Sequence, residues 1–89
     1  MVVHLKRVVI DSLKPREITI LDLSTALCEV EGVEDVDITV VEVDVKTETV
    51  KLTILGSNIN YEEIYKIATD HGASIRSVDE INVHRAEDQ

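Results

Sequence analysis

The 89 residues make one small domain, expected to span 1–89, close to the size at which a single core is only marginally stable and a partner surface helps. A net charge of −9, with 18 Asp and Glu against 9 Lys and Arg, argues against nucleic-acid backbones and anionic membranes as partners, because both require a basic surface. With two Tyr and neither Phe nor Trp, the core must be aliphatic and offers no platform for stacking a base or a sugar.

Residues 2–13 read as a first strand. His4, Lys6 and Arg7 interrupt its valines and no small-residue cleavage site follows, so it is neither a signal peptide nor a membrane span. Lys14-Pro15 is expected to end it, since proline removes a ladder donor and restricts the residue before it. Thr19 is placed to cap a helix, with Asp22 three residues on and Ile18 and Leu23 positioned as a hydrophobic staple. Ile20, Leu23, Leu27 and Val30 form one stripe at helical spacing, and Gly32 is the stop.

From Val36 to Leu55, apolar residues alternate with polar ones in two runs separated by Lys46-Thr47-Glu48-Thr49, the pattern of a β-hairpin with one buried face. The second helix repeats the grammar of the first: Asn60 caps, Glu63 follows three residues later, and Ile59 and Ile64 staple. Ile64, Ile67, Ala68 and His71 form its stripe before Gly72. A last strand is expected from Ala73 to His84, and residues 85–89 as a polar tail that frays. Cys28 is the lone cysteine, which rules out an intramolecular disulfide or a CxxC motif and fits a reducing cytoplasm.

The order β-α-β-β-α-β predicts an α+β, ferredoxin-like split βαβ sandwich. Its four-stranded antiparallel sheet has the order 4-1-3-2 and carries both helices on one face. Strands 2 and 4 are then opposite edges, three strand spacings or roughly 14 Å apart. If Val8, Ile10, Val36, Ile38, Val40, Val50, Leu52 and Ile54 face the helices, then Val9, Asp11, Leu13, Val41, Val43 and Leu55 face away. That open face mixes aliphatics with carboxylates.

The carboxylates supply the candidate chemistry. Glu42, Asp44 and Glu48 crowd the hairpin tip, and Asp79 and Glu80 lie on the last strand. Hard cations such as Ca²⁺ and Mg²⁺ require several oxygen ligands, and the two groups can share an ion only if the edges of different subunits meet. A valine-rich edge is an association liability unless it is paired or covered, so Val41, Val43, Leu55 and Leu21 are candidate contacts of a homo-oligomer. An unlike-edge contact closes a ring or grows a filament.

The remaining polar residues point away from catalysis. His71 is expected to interact with the carbonyls at the end of its helix. Cys28 has no basic neighbour to activate it as a nucleophile, so it is expected to act as a small packing residue. No nucleophile triad, phosphate loop or paired catalytic acid has a recognisable spacing. An RNA-binding version of the fold needs aromatics on its central strands, whereas Tyr61 and Tyr65 fall on helix 2. A heavy-metal chaperone version needs a CxxC after the first strand, where Lys14-Pro15-Arg16 stands. An effector-binding regulatory module of the ACT type, with its pocket between subunits, stays open by fold analogy.

Four segments also carry a family resemblance: Ile10-Asp11 with Leu13-Lys14-Pro15, Glu31-Gly32-Val33, Glu42-Val43-Asp44 with Glu48-Thr49, and Ser77-Val78-Asp79-Glu80. Their order and spacing resemble the small archaeal family catalogued as domain of unknown function 211. The resemblance implies a ferredoxin-like fold, cyclic homo-oligomers and calcium as a candidate ligand, with no established activity. The family pattern places a histidine and a second proline after Pro15, and here Arg16 and Ile18 stand instead. The expectation is therefore a cytoplasmic, non-enzymatic, ring-forming module that binds divalent cations, without nucleic-acid or membrane partners. A purely structural oligomer is the remaining alternative.

Overall fold

In the computed structural model, which describes residues 2–86, the elements follow in the predicted order. They are β1 (Val2–Pro15), α1 (Ile20–Cys28), β2 (Val33–Val43), β3 (Thr47–Gly56), α2 (Tyr61–Asp70) and β4 (Ser74–Ala86). The sheet order is β2-β3-β1-β4 with every neighbouring pair antiparallel, which is the expected order read from the other edge. The chain therefore has the ferredoxin-like α+β arrangement.

Local chemistry sets the helix ends where the spacing placed them. Thr19 Oγ1 accepts from the Asp22 N–H at 3.0 Å, and Asn60 Oδ1 accepts from the Glu63 N–H at 3.2 Å. Each side chain satisfies one of the N–H groups a helix start leaves without a partner. Gly32 and Gly72 follow the two helices at φ +85° and +80°, a region that disfavours residues carrying a Cβ.

The core lies between the helices and the two central strands. Val8 and Ile10 of β1, Val50, Leu52 and Ile54 of β3, Leu23 and Leu27 of α1 and Ile64 of α2 are fully buried. Burying one such aliphatic side chain contributes about 1.5–3 kcal/mol, so this cluster supplies most of the drive to fold. Ile20 departs from the predicted stripe, because the first residue of α1 lies on the helix flank and is exposed. Cys28 also departs from expectation, since it ends α1 exposed and packs nothing into the core.

Several boundaries differ from the sequence expectation, three of them for a cross-strand reason. β1 runs through Lys14 and Pro15 because Glu48 and Thr47 of β3 provide partners for them. For the same reason β3 starts at Thr47, and the turn occupies Asp44 to Lys46 rather than the Lys46–Thr49 stretch. At the other end, Arg85 and Ala86 pair with Val3 and Val2 instead of fraying. Residues 87–89 of the expected tail lie outside the described residues.

Bulges interrupt both edges. Against β3, β2 carries Glu34 and Val41 as extra residues, and against β1, β4 carries Arg76 and Asp79. An extra residue shifts the alternation of every residue beyond it. Val43 thus stands opposite Glu48, in the row of Val50 and Leu52 on the helix side, and not on the open face where simple alternation puts it.

Candidate assembly edge and acidic sites

The hairpin tip is built around a lysine. Lys14 is two residues beyond Ser12 and four beyond Ile10, so it continues the helix-facing row of β1 and is almost wholly buried. Its ammonium donates to the carbonyls of Pro15 and Ile18 and pairs with the Glu48 carboxylate across the β1–β3 ladder. An ammonium has three protons, and three acceptors meet it, which is what a buried cation requires. Arg16 fastens the same region from outside. Its N–H donates to the Lys46 carbonyl at 3.0 Å, and its guanidinium reaches the Val45 and Asp44 carbonyls at 3.4 and 3.5 Å.

This arrangement separates the three hairpin carboxylates. Glu48 is bound to Lys14, whereas Glu42 and Asp44 lie exposed at the end of β2, with Val41, Val43 and Val45 exposed beside them. Among the described residues no group of three His, Cys, Asp or Glu side chains gathers closely enough to hold a metal ion. As the topology requires, Asp79 and Glu80 lie on the opposite edge of the sheet.

The open face carries paired charges. Arg7 donates to Glu80 Oε1 at 2.7 Å, and Arg76 donates from Nη2 and Nε to Asp11 Oδ2 at 3.0 and 3.2 Å. The Arg7 hydrogen bond, aided by the guanidinium charge, holds the Glu80 carboxyl below its ordinary pKa. Asp79 accepts from the Ser77 hydroxyl at 2.8 Å. Val9 lies among Arg7, Asp11, Thr53 and Glu80 on this face and is only 2% exposed. Leu13 and Leu55, also on this face, are half-buried, so the open face is less apolar in its accessible surface than the sequence pattern suggests. Leu21, in contrast, is 71% exposed on the outer flank of α1.

Two other sites complete the inventory. His71 Nδ1 lies 2.8 Å from the Ile67 carbonyl oxygen and donates to it in the Nδ1-protonated tautomer, which is the helix-end role expected of it. At the end of the sheet away from the hairpin, Glu31, Gly32, Ser57, Asn58, Ile59 and Asn60 line a cleft of about 500 Å³. There the two connections approach so closely that a Cβ on Gly32 would stand 1.9 Å from the Asn58 carbonyl oxygen, and one on Gly56 would stand 1.9 Å from that of Gly32.

Sequence reasoning placed Glu42, Asp44 and Glu48 together and overlooked the cation that divides them. The signal was available, because Lys14 shares the parity of Val8 and Ile10. Lysine is so rarely buried that parity alone reads it as the strand's end.

The sequence matches the model of the DUF211 family, described as uncharacterized ArCR, over residues 6–86. The chain belongs to the DUF211 family. This DUF211 protein is also similar to an uncharacterized protein of Methanocaldococcus jannaschii, with 42% identity over 77 residues that cover 86% of this chain and 79% of the relative. The four segments from Ile10 to Glu80 that carry the resemblance all fall within the matched span. No helix among the described residues is long and apolar enough to cross a membrane.

Proposed function

We propose that this DUF211 protein is a non-enzymatic, cytoplasmic binding module that assembles into a cyclic homo-oligomer and holds a divalent cation, Ca²⁺ or Mg²⁺, where carboxylates of neighbouring subunits meet. The observation that carries this reading is the outer edge of β2, an eleven-residue strand without a partner on that side among the described residues. It ends in exposed valines interleaved with Glu42 and Asp44. Such an edge favours pairing with another strand, and hard cations favour the oxygen donors beside it. Of the five candidate ligands, Glu48 and Glu80 are held in ion pairs by Lys14 and Arg7. Glu42, Asp44 and Asp79 are the more available donors, and β2 and β4 of one chain are too far apart to combine them. The contact then includes Val41, Val43 and Leu21, with Leu55 beside Asp35 at the other end of β2.

Light scattering on metal-stripped protein, followed by calorimetric titration with Ca²⁺ and Mg²⁺, tests both halves. A multiple of the 9.9 kDa chain mass, together with binding that Glu42→Gln and Asp44→Asn weaken, supports the reading. A monomer at all concentrations, or no heat in the millimolar range, removes the corresponding half. A second reading, an ACT-like module that binds a small effector, is supported by the cleft at Gly32 and Asn58, whose volume suits a small ligand. A thermal-shift screen of amino acids and nucleotides then finds a stabilising compound whose effect survives EDTA.

A further inference from the structure

Charge is distributed unevenly along this chain, and the fold turns that distribution into two faces. From Glu17 to Val45 there are nine carboxylates and no Lys, Arg or His, and this stretch forms α1 and β2. The paired ends of β1 and β4, residues 2–7 and 81–86, contain His4, Lys6, Arg7, His84 and Arg85 and no carboxylate. Glu87 and Asp88 follow in sequence, outside the described residues.

The basic end also has an apolar face. β1 gains its first partner on β3 only at Arg7, so Val2 to Leu5 pair with β4 alone, and Lys6 is an extra residue of β1 at a bulge. The Ile59 N–H bond to the Leu5 carbonyl, at 2.9 Å, ties the base of this ribbon to the β3–α2 connection. Leu5 packs on the core and pairs with Val83, Val8 pairs with Ile81, and Val3 pairs with Arg85. Those pairings place Val3, Ile81, Val83 and Arg85 on the helix side of the sheet, yet Val3, Ile81 and Val83 are 56–61% exposed because neither helix extends over them.

The acidic face has a matching recess. Between α1 and the outer edge of β2 runs a groove of about 300 Å³, lined by Ile20, Leu21, Ser24, Val36, Asp37 and Ile38. Its floor is apolar, Asp37 beside it turns its side chain to the open face, and the strand has a free edge among the described residues.

We propose that this groove receives the β1–β4 ribbon of a second copy of the chain. Ile81 and Val83 seat on the aliphatic floor, the outer edge of β4 pairs with that of β2, and on the open face of that pair His84 comes beside Asp37. The inference rests on the assembly proposed above and names the surfaces that carry it. Charge complementarity selects the second copy as occupant, since the ribbon and the α1–β2 surface that holds the groove are the basic and acidic poles of one molecule. Two chains of net charge −9 repel at long range, but that repulsion is screened beyond about 10 Å at 0.1 M salt, whereas contact pairs are screened far less. The contact joins unlike surfaces, so it repeats around a ring.

A complementation experiment by light scattering at fixed protomer concentration tests this. Val83→Asp spoils the ribbon and leaves the groove intact, and Leu21→Arg does the reverse; both positions are exposed, so the fold survives each change. Each variant alone is expected to run at monomer mass, and an equimolar mixture at dimer mass, through the single intact ribbon and groove that remain. Variants that merely unfold would not complement, and circular dichroism of each confirms the fold. If either variant keeps the wild-type oligomeric mass, or if the mixture stays monomeric, the ribbon-in-groove contact is overturned while the ring stands. A monomeric wild-type protein overturns the ring itself.

Discussion

Replacing Lys14 by methionine keeps the packed stem and removes the ammonium, which isolates the chemistry at the hairpin tip. In the wild type the ammonium meets two carbonyl oxygens and the Glu48 carboxylate. A hydrogen bond to a charged group is worth about 1.5–3 kcal/mol net, and removing it also leaves the partners poorly satisfied, so Lys14→Met is expected to cost about 3 kcal/mol. Glu48→Gln keeps an oxygen acceptor and removes only the charge, at a cost of about 2 kcal/mol. For a domain of this size each kcal/mol moves the melting temperature by about 4–8 °C, so both losses are readily measured. Urea unfolding followed by circular dichroism is the assay, in EDTA and at fixed protomer concentration, because metal and assembly add their own stability. The double variant should lose less than the sum of the single losses, with a coupling of about 1–3 kcal/mol. A Lys14→Met protein within about 0.5 kcal/mol of wild type would refute the claim that this ion pair secures the hairpin, since that is the scatter of ordinary surface substitutions. The stability loss of Glu48→Gln should persist without metal, which separates its pairing with Lys14 from any role as a cation ligand.

Two further outcomes follow from the geometry. Gly32→Ala should cost at least about 2 kcal/mol, because the left-handed backbone penalises a Cβ and the added carbon meets the Asn58 carbonyl. Gly72→Ala, where the added carbon meets only the Pro15 ring at 3.1 Å, should cost about 1–2 kcal/mol, and equal melting points for the two would contradict this account. Arg7→Ala should let Glu80 titrate at higher pH than in the wild type, as read from its carboxyl carbon by NMR. Because the folded-state pKa is the lowered one, the pair's stabilisation is complete above the ordinary glutamate pKa of about 4.3 and is lost as pH falls through the lowered value. An unmoved Glu80 titration would mean that the Arg7 contact does not persist in solution.

Features decided within a few residues were legible in the sequence. The Thr19 and Asn60 caps, the Gly32 and Gly72 stops and the alternation of Val50, Leu52 and Ile54 each depend on neighbours along the chain. The strand order followed from them by the right-handed crossover rule. What escaped depends on pairing across strands. The bulge at Val41 reverses the parity of Val43 only because Glu42 pairs with Thr49, a register that no local pattern encodes. The partners of Glu48 and Glu80 lie on β1, far along the chain, so these acids looked like free ligands until the fold placed a lysine and an arginine beside them. The basic ribbon likewise emerges only when β1 and β4 pair at their ends.

The contact between Gly32 and Gly56 has a consequence for how such a chain can change over time. The connection leaving α1 and the connection leaving β3 cross there main chain to main chain, with no space for a single added carbon. They behave as one joint, so lengthening or decorating either displaces the other and, with it, the exit of α1 and the entry of α2. Variation in length is thereby directed to the Asp44–Lys46 turn and to the chain ends. Those are the places where β2 terminates and where the β1–β4 ribbon projects. New binding properties can be tried at both ends of the sheet while the crossing between them holds the architecture constant.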